Sequence, residues 1–272
     1  NFGRKFVILQ PQFANTPYNT HTMSGHNKWS TIKRKKGALD AKRSKIFSRI
    51  IKEITIAVKE SGADPDGNPR LRLAIANAKG ASMPKDNILR AINKGSDKDA
   101  ANFQETTYEG YVSGIALFIE CTTDNLQRTV SNVRSIFNKY GGNLGTNGSL
   151  AHIFDRKGIF TIPLSQIKDM ESFEMEAIDG GAEDIETDNE NSIITVTTAM
   201  EDFGQMMKKL ESLSIEPENA QLQRIPLTTM NVDADTARKI MKVIDMFEDD
   251  DDVQNVYHNM ELTDDIMNAL DS

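Results

Sequence analysis

MSGHNKWSTIKRKKGALDAKRSKIFSRIIKEITIAVK, residues 23–59, carries eleven Lys or Arg against two acids, Asp40 and Glu53. The whole chain is formally −8, so this local excess of +9 must be offset elsewhere, and a polyanion is its natural partner. From Lys45 to Lys59 the run fits an amphipathic helix. At about 100° per residue, Phe47, Ile50, Ile51, Ile54, Ala57 and Val58 share one side, while Lys45, Arg49, Lys52 and Lys59 share the other. Ile56 is the exception and falls among the cations. The apolar side suits a small helical core and the basic side suits phosphates. A basic helix face is also what a solvated surface looks like, but Lys33, Arg34, Lys35 and Lys36 in succession, followed by Lys42, Arg43 and Lys45, exceed what solubility needs. Trp29, the only tryptophan, follows Lys28 and fits either a stacked base or a packed anchor. The candidate nucleic-acid-binding residues are therefore Lys28, Trp29, Lys33, Arg34, Lys35, Lys36, Lys42, Arg43, Lys45, Arg49 and Lys52.

The length of 272 residues, with 38% hydrophobic and 26% charged, allows two or three globular domains. No apolar run approaches the roughly 20 residues that span a bilayer, so no membrane partner is expected. Cys121 is the single cysteine, which excludes an intrachain disulfide and fits a reducing, cytoplasmic compartment. Residues 1–22 are expected to be an extension, either from an upstream start or artificially added. Their Phe6-Val7-Ile8-Leu9 run is too short for a secretory core, and two cations among Asn, Thr and Pro make a poor mitochondrial presequence.

Beyond the basic helix, Gly62 is suited to end it and Pro69 to begin a helix over about 70–79. Asp64, Asp66 and Asn68 alternate like calcium-loop ligands, but Pro69 replaces the required glycine and Ile75 the closing glutamate, so no calcium site is expected. Ser82-Met83-Pro84-Lys85-Asp86 opens a third helix to about Asn93, with Lys94-Gly95 as its exit, which completes a small helical bundle. From Tyr108 the pattern changes, and Ile115 to Thr122 reads as a strand buried on both faces at its start. Asp124 is suited to cap a helix that buries Leu126, Thr129, Val130, Val133, Ile136 and Phe137. The glycine-rich Gly141–Gly148 looks like a phosphate loop but follows a helix, so a helix end and an interdomain loop are the better reading. Strands at 153–162, 193–197 and 221–225 alternate with helices at 165–178 and 201–213. Residues 228–232, 234–247 and 253–258 then read as strand, helix and strand. That last unit is too small to fold alone, and its simplest partner is the strand and helix at 108–140.

The compensating acid is concentrated. Asp169–Asp202 contains twelve Asp or Glu, and Asp245–Ser272 contains ten, both without a Lys or Arg. They read as solvated surface that repels misplaced nucleic acid or docks onto a basic protein. Motifs for catalysis are missing: His21, His26, His152 and His258 are scattered, and no phosphate-binding, nucleophile-elbow or zinc-protease motif occurs. A metal-dependent hydrolase built on the acidic clusters is the enzymatic alternative. No cofactor or metal is expected, and no oligomeric state is legible.

The blocks M-S-G-H-N-K-W-S-T-I-K, D-A-K-R-S-K-I-F-S, N-P-R-L-R-L-A-I, M-P-K-D-N-I, Y-E-G-Y, G-G-N-L-G and D-D-V-Q-N-V-Y-H-N occur in order over Met23 to Glu261. Together they resemble the YebC/PmpR family. Asn27 stands where serine is usual, and Val112-Ser113-Gly114 where a glycine-proline-glycine loop is common. The resemblance implies a non-enzymatic regulator of gene expression, described either as a DNA-binding transcription regulator or as a translation factor acting at the ribosome, including relief of stalling at proline-rich segments. Mitochondrial relatives activate translation of a cytochrome oxidase subunit. Partners are accordingly DNA or RNA, with the ribosome among them. The expected fold is α+β: an extension (1–22), a basic helical bundle (23–99), a discontinuous α/β sandwich domain (100–151 with 228–272) and a second one (152–227) inserted in it.

Overall fold

The computed structural model describes residues 39–271. The extension and residues 23–38 of the basic run lie outside the described residues. Helices α1 (Leu39–Ser61), α2 (Pro69–Gly80) and α3 (Lys85–Ser96) form the bundle. Ile54, Ala57 and Val58 of α1 meet Leu71, Ala74 and Ala78 of α2 and Ile88 and Ala91 of α3 in one core. Gly62 ends α1 at φ +89°, a left-handed conformation that favours glycine, and its N–H donates to Val58 O at 2.8 Å. Buried Asn68 joins the two helices. Its Oδ1 accepts from the Leu71 amide at 3.0 Å as the cap of α2, and its Nδ2 donates to Ala57 O at 2.6 Å and Gly62 O at 2.8 Å. Asn68, one of the calcium-like trio, is thus spent on capping.

The first sheet contains β1 (Gln104–Val112), β2 (Ile115–Thr123), β3 (Asn143–Leu144) and β8 (Val253–His258), in the order β3-β1-β2-β8 and antiparallel throughout. Ser113 (φ +51°) and Gly114 (φ +83°) make the two-residue turn between β1 and β2, both with the positive φ that matches the twist of a tight hairpin. Alternation along β2 feeds two cores. Ile115, Leu117, Ile119 and Cys121 pack under α4 (Leu126–Lys139) and α7 (Ala234–Asp249), while Ala116 and Phe118 meet Leu150, Phe154 and Tyr257 on the opposite face.

The second sheet is built from the chain between β3 and α7: β4 (Phe154–Pro163), β5 (Ala182–Asp188), β6 (Ile193–Ala199) and β7 (Asn219–Pro226), in the order β5-β6-β4-β7. Helices α5 (Met170–Asp179) and α6 (Phe203–Ser212) bury Phe173, Ala177, Met206 and Leu210 against it. Since β8 returns to pair with β2 after this whole interval, the third domain is inserted in the second and the class is α+β.

Several local expectations change. Asn125, not Asp124, caps α4, its side chain accepting from the Arg128 amide at 3.0 Å, and Leu126 is exposed rather than buried. The helix expected over 165–178 is a 3-10 turn, Leu164–Gln166, followed by α5, because Ile167 and Asp169 are extended between them. Residues 228–232 form no strand and contribute only an isolated parallel bridge, Met230 to Met260. Strands β1 and β5 and a short α8 (Asp264–Asp271) are additional.

Candidate nucleic-acid interface

The structure brings Arg43, Lys45, Arg49 and Lys52 onto α1 and shows what each one touches. Arg43 Nη2 donates to Ser82 O at 3.4 Å, and its guanidinium lies 5.6 Å from the Phe47 ring centre. Lys45 pairs with Asp249. Arg49 Nη2 donates to Glu248 O at 3.3 Å, and burial pushes its pKa down. Lys52 Nζ donates to Asp251 O at 2.6 Å and Thr122 O at 3.0 Å, lies 3.6 Å from Asp252 Oδ1, and sits 5.4 Å from the Phe103 ring centre. Lys59 continues the row onto Ala100 O at 2.6 Å. The basic side of α1 therefore faces the last turn of α7 and the acidic loop after it, together residues 248–252. This also explains Ile56: at 7% exposure among the cations, it is buried because that side of the helix is covered too. Lys42 is placed only as a backbone position of α1, and Lys28, Trp29, Lys33, Arg34, Lys35 and Lys36 lie outside the described residues.

The loop that receives α1 is held in shape by Asp252. This buried carboxylate accepts from Arg128 Nη2 at 2.8 Å, Arg128 Nε at 3.2 Å and Thr129 Oγ1 at 2.8 Å. Burial alone would raise its pKa, but the hydrogen bonds from Arg128, Thr129 and Thr123 outweigh that and hold it below the ordinary carboxylate value. The bonds that Arg128 donates to Asp252 and to Asp124 in turn raise its own pKa. Asp250 accepts from Asn132 Nδ2 at 3.0 Å and from the Asp252 amide at 2.8 Å. An open cleft of about 540 Å³ remains here, lined by Lys52, Phe103, Arg128, Asn132 and Asp250 among others. Among the described residues no three His, Cys, Asp or Glu are grouped to hold a metal ion. Cys121 beneath the loop is a buried thiol, its pKa pushed up to about 12 by burial and then by Asp250 and Asp252.

Two further contacts fix the bundle. Arg70 of α2 meets Glu53 Oε1 at 2.7 Å, Glu60 Oε1 at 2.9 Å and Glu105 Oε1 of β1 at 2.5 Å; burial opposes its charge, but Glu53 and Glu105 raise its pKa on balance. Asn77 lies against the edge strand β7 and exchanges two 2.9 Å hydrogen bonds with the Ala220 backbone. The glycine-rich segment 141–148 ends α4 and then wraps a buried carboxylate: Glu109 accepts from the amides of Gly148 at 2.8 Å and Leu150 at 2.6 Å and from Ser149 Oγ at 3.2 Å. Amides of the kind that cradle a phosphate are thus occupied from within. Sequence reasoning missed Phe103, Arg128 and the acidic loop as one assembly with α1, and separately missed Glu109 under residues 148–150. The available signal was the charge match between residues 45–52 and 248–252.

A basic helical bundle braced against two helix-covered sheets, one inserted in the other, defines a three-domain α+β protein. The chain belongs to the TACO1/YebC family: residues 27–98 match the TACO1/YebC protein N-terminal domain, and residues 103–260 match the TACO1/YebC second and third domain. Relatives named "Probable transcriptional regulatory protein" occur in Amoebophilus asiaticus, 54% identical over 88% of this chain and 98% of that one, and in Geotalea uraniireducens, 49% identical over 91% and 100%. A crystal structure of a conserved hypothetical protein from Aquifex aeolicus superposes with a TM-score of 0.73 at 40% identity, covering 83% of this chain and 93% of that one. Among the described residues no helix is long and apolar enough to cross a membrane.

Proposed function

We propose that this chain is a non-enzymatic regulator of gene expression that holds nucleic acid through its basic N-terminal region. The observation that carries the reading is the +9 excess over residues 23–59. With Lys45, Arg49 and Lys52 engaged by the loop at 248–252, five cations of the preceding segment, Lys28, Lys33, Arg34, Lys35 and Lys36, become the principal phosphate ligands, with Trp29 available to stack on a base. The names of the relatives favour regulation of transcription, for which DNA is the polymer to test.

A second reading, RNA at the ribosome, is favoured by the charge of the remaining chain. The acid-only stretches 169–202 and 245–272 repel a long duplex but suit basic ribosomal proteins. The cations of residues 28–36 are mostly lysines, point charges for phosphate rather than bidentate readers of base edges. Hydrolysis by the acidic clusters has weaker support, since Asp249, Asp250 and Asp252 already hold Lys45, Asn132 and Arg128. A cytoplasmic site of action fits the lone, buried Cys121.

Crosslinking in cells, with sequencing of both DNA and RNA, tests the proposal. Crosslinks that vanish when Lys33, Arg34, Lys35 and Lys36 are all changed to glutamate support it. Promoter enrichment selects transcription, and ribosomal RNA selects translation. Divalent-metal-dependent turnover of nucleic acid, or no crosslink to either polymer, contradicts it.

A further inference from the structure

The row Lys45, Arg49 and Lys52 meets the last turn of α7, the loop after it and the neighbouring end of β2 through oxygen atoms: the Asp249 carboxylate and the main-chain carbonyls of Glu248, Asp251 and Thr122. Oxygen acceptors set along a helix face are also what a phosphate backbone offers, except that a phosphate carries a full negative charge where a carbonyl carries a partial one. The contacts are graded. The Lys45 and Asp249 side chains are 37% and 70% exposed, whereas that of Lys52 is 15% exposed and has three acceptors. Exposed ion pairs are worth little, so the outer end of the row is readily exchanged. Asp252, Arg128 and Thr129 tether the loop to the second domain from behind, while Arg49 and Lys52 brace its main chain from the front, so it stays in place but loosens when α1 lets go.

From this arrangement we infer that the loop 248–252 is an internal stand-in for a polyanion, occupying the basic side of α1 until nucleic acid displaces it from the Lys45 end inward. The inference rests on the nucleic-acid reading above and adds a regulatory contact to it. Lys45 followed by Arg49 are recruited for phosphate only at the expense of the loop. Affinity is thereby held below what the full count of cations would give. It also becomes sensitive to anything that neutralises or covers Asp249.

A mutant cycle on the full-length chain, read by fluorescence anisotropy with polyuridine RNA and with a mixed-sequence DNA duplex, tests this. Asp249→Asn should tighten binding about two- to fivefold and steepen the salt dependence by about 0.7–0.9 per cation released. Lys45→Gln should weaken binding more in the Asp249→Asn background than in the unaltered chain, because there Lys45 meets phosphate without first giving up Asp249. Glu171→Gln, on the exposed side of α5, removes the same charge away from the joint and controls for the overall field. Hydrogen exchange supplies a second readout. The amides of Thr122 and Val253, which donate to Asp252 O at 2.8 Å and Asp250 O at 3.1 Å, should lose protection when nucleic acid binds. If Asp249→Asn matches Glu171→Gln, Lys45→Gln acts equally in both backgrounds and protection is unchanged, the joint is a permanent structural contact and the inference falls while the nucleic-acid reading stands. If the unaltered chain binds neither polymer, both fall.

Discussion

Glu109 is the residue on which the inner architecture depends most. Its buried carboxylate, at 3% exposure, satisfies the amides of Gly148 and Leu150 and the hydroxyl of Ser149. Glu109→Ala leaves those donors unpaired and should cost about 3 kcal/mol by urea unfolding, with Glu109→Gln intermediate because the amide oxygen recovers part of the set. An unchanged midpoint would show that the loop holds itself. Asp252 makes a prediction about pH. Its folded pKa is depressed, so its stabilising contribution is complete above the unfolded carboxylate pKa of about 4 and is lost as pH falls through the folded value. Below about pH 4 the unaltered chain should lose stability more steeply than Asp252→Asn, measured as unfolding free energy against pH. Parallel curves would remove Asp252 from that role.

At the level of elements, the seam between α2 and β7 is set by close approach. A Cβ on Gly80 would lie 1.7 Å from Glu218 O, so only glycine lets the end of α2 reach the strand. Gly80→Ala should destabilise the chain by about 1–3 kcal/mol, and Asn77→Ala should release the Ala220 amide to exchange. Neither change should alter the core of α4 and α7 under the first sheet. Elements that announce themselves by period were legible in the sequence. In α7, Ala237, Ile240, Ile244 and Phe247 recur at helical spacing, and β2 alternates between two cores. Strand β5, Ala182–Asp188, was not legible because it reads A-E-D-I-E-T-D; as an edge strand with one neighbour it tolerates the charges a central strand would exclude. The polar first half of β1 hid that strand in the same way. The candidate site was half legible. Charge marked Lys45, Arg49 and Lys52, but Lys45 meets an acid 204 positions away, a separation no local pattern encodes.

Over the whole molecule, the chain separates its charge and then brings part of it back together, with basic α1 seated on the acidic loop of the second domain. The second sheet has its own core of Phe160, Ile162, Phe173, Ile194, Val196 and Leu210. We therefore expect residues 152–227, expressed alone, to unfold cooperatively, as judged by coincident circular dichroism and fluorescence transitions. A disordered fragment would mean that this sheet depends on α2 and the first sheet for its core. The central claim, that the basic N-terminal region is a phosphate-binding surface, is tested most directly by titrating the full-length chain against a DNA duplex and a single-stranded RNA over a range of salt. If the five cations among residues 28–36 each neutralise one phosphate, log K should fall with log salt at a slope of about −4.5 on duplex, a loss of several hundredfold between roughly 50 and 200 mM, and replacing the four consecutive cations with glutamate should abolish it. A flat salt dependence, or binding that survives those four replacements, would contradict the account.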